Sequence, residues 1–390
     1  RPWDVPMDLM PVVFTQMVYR LNLFNELPGL RMGVVASFAA ATLAGYNSAN
    51  EFHNMCHGLH VAQATYLMLR ETGAFTALPP DEVLTLMVAA LGHDVDHTGT
   101  NSDFLIKGGS NLATRYNDAS VLENYHCASV SAILAVEEFA VFDFASPQRQ
   151  RRLRRLMLSC IMCTDMSRHL EVVNNIKQLR GPLTHPAVQP ATADILVDTG
   201  EVVFEAGTIA CCPEVMLEVG EDGDLDSVTE EEEAGLPTDL GTGAAGGGGE
   251  GRRKERLMTR DDFVCSDEQQ RTNLCGILLH CADISGQVTP WSTAENWSDC
   301  VIAEFRAQAA MEVELDLEAT AFMHSLMRPE GAGPLQKGFC GFGRHDLCSA
   351  MGELCPALRF RVQQLQANAE RHGKIADKAR NAAAAPGADM

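Results

Sequence analysis

The sequence predicts an all-α fold, and three observations carry that prediction. Apolar residues recur at three- and four-residue steps through most of residues 1–185 and 269–375, as in Val83-Leu84-Met87-Val88-Leu91 and Leu153-Leu156-Met157-Cys160-Ile161. Strict alternation is rare and aromatic residues make up only 6% of the chain, so strand signals are few. Pro and Gly cluster at the expected helix ends, as in Leu78-Pro79-Pro80-Asp81, where Asp81 is placed to cap the helix that follows. The chain has 390 residues, 46% of them hydrophobic, enough to bury a large core. Its longest apolar stretch, Val34 to Gly45, is too short and too dotted with Ser and Thr to span a bilayer, and reads as a core helix.

The middle of the chain breaks the pattern. Between Glu214 and Glu233, ten of twenty residues are acidic; a Gly/Ala tract from Gly241 to Gly249 follows, then the basic run Arg252-Arg253-Lys254. Such a segment buries too little apolar surface to offset the entropy of ordering it. Residues 186–267 therefore read as a disordered acidic, Gly-rich insertion within one domain spanning 1–375, and residues 376–390 as a disordered tail. The chemical motifs lie on both sides of the insertion and must meet across it, which argues against two separate domains. The chain begins at Arg1 and carries no signal peptide, which reads as a domain cut from a longer protein with further domains N-terminal to it.

Charge and cysteine usage narrow the function. A net charge of −22 disfavours nucleic acid and anionic membrane surfaces as partners. An anionic substrate would have to be held locally, by metal ions or a few placed donors. Thirteen cysteines with no framework spacing suit reduced thiols and a cytoplasmic setting. Cys160 and Cys163 form a CxxC inside an apolar helical run, where core packing is the better reading than zinc. The arginines at 149, 151, 152, 154 and 155 read as a solvated helix face.

Five features carry chemistry. In Glu51-Phe52-His53-Asn54-Met55-Cys56-His57-Gly58-Leu59-His60, His53 and His57 share a helix face, which suits either a metal site or acid–base work. In Leu91-Gly92-His93-Asp94-Val95-Asp96-His97, an apolar run drives straight into a polar knot. Its imidazoles and carboxylate suit a borderline metal such as zinc, with a carboxylate free to bridge to a harder ion such as magnesium. Ser120 to Glu123 has capping-box spacing, which alone explains it; a supporting role for Glu123 and His126 is only suggested. Asp283 ends the apolar run Ile277-Leu278-Leu279-His280-Cys281-Ala282, so it is desolvated and needs a partner. It would complete a quartet with His57, His93 and Asp94. Gln336 and Phe339 share one helical face, a pattern of little specificity by itself.

Taken in order, six segments resemble the signatures of class I cyclic-nucleotide phosphodiesterases. They are His53-Asn54-x-x-His57, the His93-Asp94-Val95-Asp96-His97 segment with Gly99 and Asn101, Tyr116-Asn117-Asp118-x-Ser120-Val121-Leu122-Glu123, Thr164-Asp165-Met166-Ser167-x-His169, His280-Cys281-Ala282-Asp283-Ile284-Ser285 and Gln336-x-x-Phe339. The resemblance covers roughly residues 15–180 and 268–370. It implies a compact multi-helix fold of the HD-type metallohydrolase kind. It also implies hydrolysis of cAMP, cGMP or both to 5′-monophosphates, by attack of a metal-bridging hydroxide with a histidine general acid.

Carried over residue by residue, the resemblance implies that His57, His93, Asp94 and Asp283 bind a tight zinc ion. Asp94 would bridge to a second ion, magnesium or manganese, whose waters Glu123, His126 and Thr164 would hold. His97 would orient neighbouring ligands. His53 would be the general acid, positioned by a partner carboxylate or by the substrate phosphate. Gln336 would bond the purine edge and Phe339 would stack on its face. A homodimer is compatible with the family.

This chain departs from the family pattern at four places. Phe52 stands for the usual Tyr, His60 for an Asp, Tyr125-His126 for two adjacent histidines, and Ser285-Gly286-Gln287 for Ser-Asn-Pro. None is a proposed metal ligand, but the last weakens any inference about which purine is bound. The rival readings are an HD-type phosphohydrolase of another phosphoester and a catalytically weak cyclic-nucleotide-binding domain.

Overall fold

The computed structural model describes residues 1–178, 267–326 and 344–383, and among them only helices, turns and loops occur. The all-α expectation therefore holds. Residues 186–266 of the expected insertion, and both Gln336 and Phe339, lie outside the described residues.

The first half contains α1 (Met10–Arg20), α2 (Leu23–Glu26), α3 (Met32–Ala44), α4 (Met55–Glu71), α5 (Ala74–Ala77), α6 (Pro80–Gly92), α7 (Ser102–Lys107), α8 (Asn111–Tyr116), α9 (Val121–Leu134), α10 (Pro147–Met162) and α11 (His169–Gln178). The second half adds α12 (Glu268–Asp283), α13 (Trp291–Glu314), α14 (Ala321–Ser325), α15 (Arg344–Leu354) and α16 (Arg359–Ala383). Helix α16 thus runs past residue 375, where the sequence reading ended the domain. No described helix is long and apolar enough to cross a membrane.

Helix α6 is the axis of the fold. Val83, Leu84, Leu86, Met87, Val88, Ala89, Ala90 and Leu91 are all fully buried, so it is apolar on every side. Helices α3, α4, α10 and α12 pack around it. The periodic positions Leu153, Leu156, Met157, Cys160 and Ile161 of α10 enter the same core, together with Leu274, Ile277, Leu278 and Leu279 of α12. Cys160 is therefore a core residue, as its apolar context predicts. Truncating any of these leucines to Ala would cost about 2–5 kcal/mol.

Three local expectations need correction. Asp81 does not cap α6: Pro79 is the N-cap and Pro80 opens the helix. Asp81 and Glu82 are buried instead, and buried carboxylates need partners. Asp81 accepts from Arg149 and Arg152, and Glu82 from Arg152 and Arg271, which pins α6 to α10 and α12. Arg152 is thus half-buried rather than part of a solvated face, whereas Arg149, Arg151, Arg154 and Arg155 are exposed, Arg149 while paired to Asp81. Finally, Ser120 precedes α9 in a left-handed conformation (φ 42°) and makes no capping bond; its hydroxyl donates to Asp165. The capping-box spacing of Ser120 and Glu123 has another use.

Candidate active site

Three helix termini converge on one point. Asn54 caps α4 by accepting from the Cys56 N–H at 2.9 Å, which puts His57 on the first turn. Helix α6 ends at Gly92, so His93 and Asp94 leave its buried C-terminus. Asp283 is the last residue of α12. One ligand atom from each of His57, His93, Asp94 and Asp283 falls within 4.8 Å of the others, so the quartet expected from sequence is assembled.

The geometry fits a metal ion. His57 Nε2 lies 3.2 Å from His93 Nε2, 3.1 Å from Asp283 Oδ1 and 3.3 Å from Asp94 Oδ2. His93 Nε2 lies 3.2 Å from Asp94 Oδ2 and 3.4 Å from Asp283 Oδ1. Zinc bonds of about 2.0–2.2 Å place neighbouring tetrahedral donors about 3.3–3.6 Å apart, close to this spread. The tautomer of His93 also suits a ligand. Its Nδ1–H donates to the Ala90 carbonyl at 3.0 Å, an acceptor freed by the helix end, so Nε2 is the nitrogen that faces the cluster.

The charges are tightly linked. Burial would raise both carboxyls, yet the neighbouring imidazoles hold Asp94 well below the usual carboxylate range and lower Asp283 as well. Burial would lower His93, but the two carboxylates more than reverse it and hold the imidazole high. His93, Asp94 and Asp283, which compensate one another in this way, can also exchange that compensation for a divalent cation.

Beside the quartet stands a second constellation, His53, His97 and Glu304. The Glu304 carboxylate bonds the His53 ring at Nδ1. It also accepts from the Phe52 and His53 backbone N–H groups at 2.9 and 3.0 Å. Burial would push the His53 imidazole down, but Glu304, aided by Asp94 and Asp283, holds it above its ordinary value. His97 stacks on His53, with centroids 3.9 Å apart and rings 16° from parallel. Burial and the neighbouring His53 push His97 well below the usual range, so the two stacked rings are driven in opposite directions.

The remaining predicted residues are placed as follows. His126 donates from Nδ1 to the Val95 carbonyl at 2.8 Å and brings Nε2 within 3.5 Å of Asp94 Oδ1. Glu123 Oε2 and His126 Nε2 are buried without a hydrogen-bond partner among the described residues, as groups would be that await water or an ion's hydration shell. Burial, reinforced by Asp165 and Asp94, raises the Glu123 carboxyl to about 7. Thr164 is buried and donates its hydroxyl to the Ile161 carbonyl, which leaves its oxygen free to accept. His60, which stands for a carboxylate, is neutral: burial and the charges of His57 and Arg361 lower it to about 3. It meets the Ser285 hydroxyl at 3.2 Å and packs on Trp297. Phe52 packs on His53, His57 and Trp297.

Sequence reading did not name Glu304. A signal existed: Glu304, Gln308 and Glu312 recur at four-residue steps on α13, and all three are buried. A polar stripe facing inward needs partners, and each residue of this one has them.

A family model described as 3′5′-cyclic nucleotide phosphodiesterase matches residues 52–365. The chain belongs to that family. Among curated phosphodiesterases, it is 28% identical over 274 residues to the high affinity cGMP-specific 3′,5′-cyclic phosphodiesterase 9A of Mus musculus, covering 70% of this chain and 36% of that one. It is 27% identical over 317 residues to the 3′,5′-cyclic-AMP phosphodiesterase 4C of Rattus norvegicus, covering 80% of this chain and 45% of that one. The chain thus spans less than half the length of these relatives. The fold matches the phosphodiesterase domain of the RhoPDE fusion protein from the choanoflagellate Salpingoeca rosetta, with TM-score 0.72, 22% identity, and coverage of 97% of this chain and 94% of that one. The His57, His93, Asp94 and Asp283 quartet lies within the matched residues, at the helix ends described above.

Proposed function

We propose that the protein hydrolyses 3′,5′-cyclic nucleotides, cAMP, cGMP or both, to nucleoside 5′-monophosphates. The observation that supports this best is the His57–His93–Asp94–Asp283 quartet standing beside the Glu304–His53 pair. One part can hold a cation and the other a proton, and opening a cyclic phosphodiester needs both.

In this reading His57, His93, Asp94 and Asp283 would hold a zinc ion, and Asp94 would also serve a magnesium or manganese ion. Glu123, His126 and Thr164 hold the waters around the second ion. Bound there, the ions would neutralise charge on the phosphoryl oxygens and make a water acidic enough to attack phosphorus at neutral pH. His53 supplies the proton to the ribose 3′ oxygen, a poor alkoxide leaving group; such help is typically worth about 10²–10⁴-fold. Glu304 keeps that imidazole protonated and aimed. His97 backs it as a neutral ring that does not compete for the proton.

Base recognition falls to Gln336 and Phe339. The Gln287 amide is turned inward, donating to Ser298 at 3.0 Å, and Gly286 lies against Trp297. Neither offers an amide to a base. A lone glutamine can serve either purine by exchanging its donor and acceptor ends. The two relatives above are named for cGMP and for cAMP respectively, and both nucleotides belong in the test. The single domain, a cytoplasmic setting and a homodimer complete the proposal.

The test is turnover of cAMP and cGMP by purified protein with magnesium, alongside Asp283→Ala and His53→Ala. Turnover by the wild type that both folded variants lose supports the proposal. Nucleotide binding without turnover would replace it with a binding domain, and no binding at all would redirect the search to other phosphoesters.

A further inference from the structure

Two backbone segments carry the site's histidines: residues 50–54 lead into α4, and residues 93–101 lead from α6 into α7. Asn50 lies between them and is 8% exposed. Its Nδ2 donates to the His53 carbonyl at 2.9 Å and to the His97 carbonyl at 2.8 Å. The orientation of the amide is fixed, because a flipped group would set Oδ1 against two carbonyl oxygens. As it stands, Oδ1 lies against Gly99: a Cβ there would fall 2.6 Å from it, and Gly99 has φ +77°. The Gly99 N–H in turn donates to His97 Nδ1 at 3.0 Å, so the His97 ring carries its proton on Nε2.

The same two segments are bolted to α13, one turn apart. Glu304 takes the Phe52 and His53 N–H groups. Gln308 is 1% exposed; it accepts from the Asn101 N–H at 2.8 Å and donates to Asn101 Oδ1 at 3.1 Å. The result is a closed frame, with Asn50 on one side and α13 on the other. The stacked rings of His53 and His97 lie inside it.

We propose that Asn50 is a positioning residue that registers the His53 imidazole to the segment bearing the metal donors His93 and Asp94. This rests on the reading of His53 as the proton donor. Asn50 touches neither substrate nor ring. By joining two carbonyls it makes the proton donor and the metal donors move as one body. A proton donor displaced by about 1 Å can lose about 10²-fold in rate, so a bridge of two hydrogen bonds is enough to matter.

Asn50→Ala tests this with three readouts. The kcat should fall roughly 10- to 100-fold while KM stays within about twofold, the pattern of a misplaced catalytic group rather than of lost binding. Added to His53→Ala, the same change should cause no further loss, because the two act through one imidazole. The ¹⁵N spectrum of labelled histidine should show the single Nε2–H tautomer of His97 in the wild type and a mixture in the variant. A kcat within about twofold of wild type, a fully additive loss on the His53→Ala background, or an unchanged His97 tautomer would overturn the inference. If Asn50→Ala does not fold, Gln308→Leu loosens the opposite side of the frame and is read in the same three ways. If the wild type turns over neither nucleotide, the functional reading fails, while the tautomer spectrum still decides whether Asn50 holds the two segments together.

Discussion

Glu304 and His53 are joined at two points, the ring nitrogen Nδ1 and the His53 backbone N–H, and the same carboxylate also takes the Phe52 backbone N–H. One carboxylate therefore sets the position, the tautomer and the charge of one imidazole. The pH dependence of activity follows. His53 serves as an acid only while protonated, so kcat falls as pH rises through its pKa. Burial alone would bring that pKa down, and Glu304 does most to raise it. In Glu304→Gln the fall should begin at lower pH than in the wild type, and maximal kcat should drop about 10²-fold or more. A pH–rate profile of the two proteins checks this; an unmoved basic limb would mean that His53 is not the titrating acid.

Removing metal should destabilise the protein. His93, Asp94 and Asp283 hold one another's charges beside His57 at converging helix ends, and a divalent ion would bind only the folded arrangement. Zinc or magnesium at 100 times its Kd should add about 2.7 kcal/mol, seen as a rise in Tm after chelated protein is reloaded. Asp283→Ala should abolish the rise and lower the bound zinc measured by mass spectrometry. An equal rise in Tm with and without Asp283 would place the ion elsewhere.

His60 makes the fold acid-sensitive. Its folded pKa of about 3 lies below the ordinary 6.5, so below about pH 6.5 the unfolded chain takes up a proton that the folded chain refuses. Its contribution to stability is present above that pH. The contribution is lost at up to about 1.4 kcal/mol per unit as pH falls toward 3. His60→Gln should flatten this part of the curve, measured by urea unfolding at pH values between about 4 and 7. Parallel curves for the two proteins would contradict the assignment.

The buried pair Asp81 and Glu82 depends on its arginines. Arg152 reaches both carboxylates, bridging α10 to α6. Arg152→Ala leaves them under-compensated and should cost about 3 kcal/mol, seen as a lower urea midpoint, with kcat/KM unchanged while the protein is folded. A shift in kcat/KM at full folding would instead mean that this end of α6 communicates with His93.

The fold and the quartet were readable from sequence for a simple reason. Buried helices such as α6 and α10 carry their burial in their periodicity, and His93, Asp94 and Asp283 stand where an apolar run ends in a charge. The frame was harder. Asn50, Glu304 and Gln308 bond residues up to 252 positions away, and a polar residue on a helix looks the same in sequence whether it faces water or a partner. Arg152 was misread for that reason, since only the burial of Asp81 and Glu82 reveals its partners. Ser120 shows a local failure: its spacing to Glu123 fits a capping box, but a left-handed backbone turns its hydroxyl to Asp165 instead.

Whether the protein opens the cyclic phosphate is decided by the product formed from cAMP and cGMP in ¹⁸O-labelled water with magnesium. Nucleoside 5′-monophosphate with one ¹⁸O on phosphorus is expected, with loss of that product in His53→Ala. A 3′-monophosphate, label in the ribose, or no turnover of either nucleotide by folded, metal-loaded protein would contradict it.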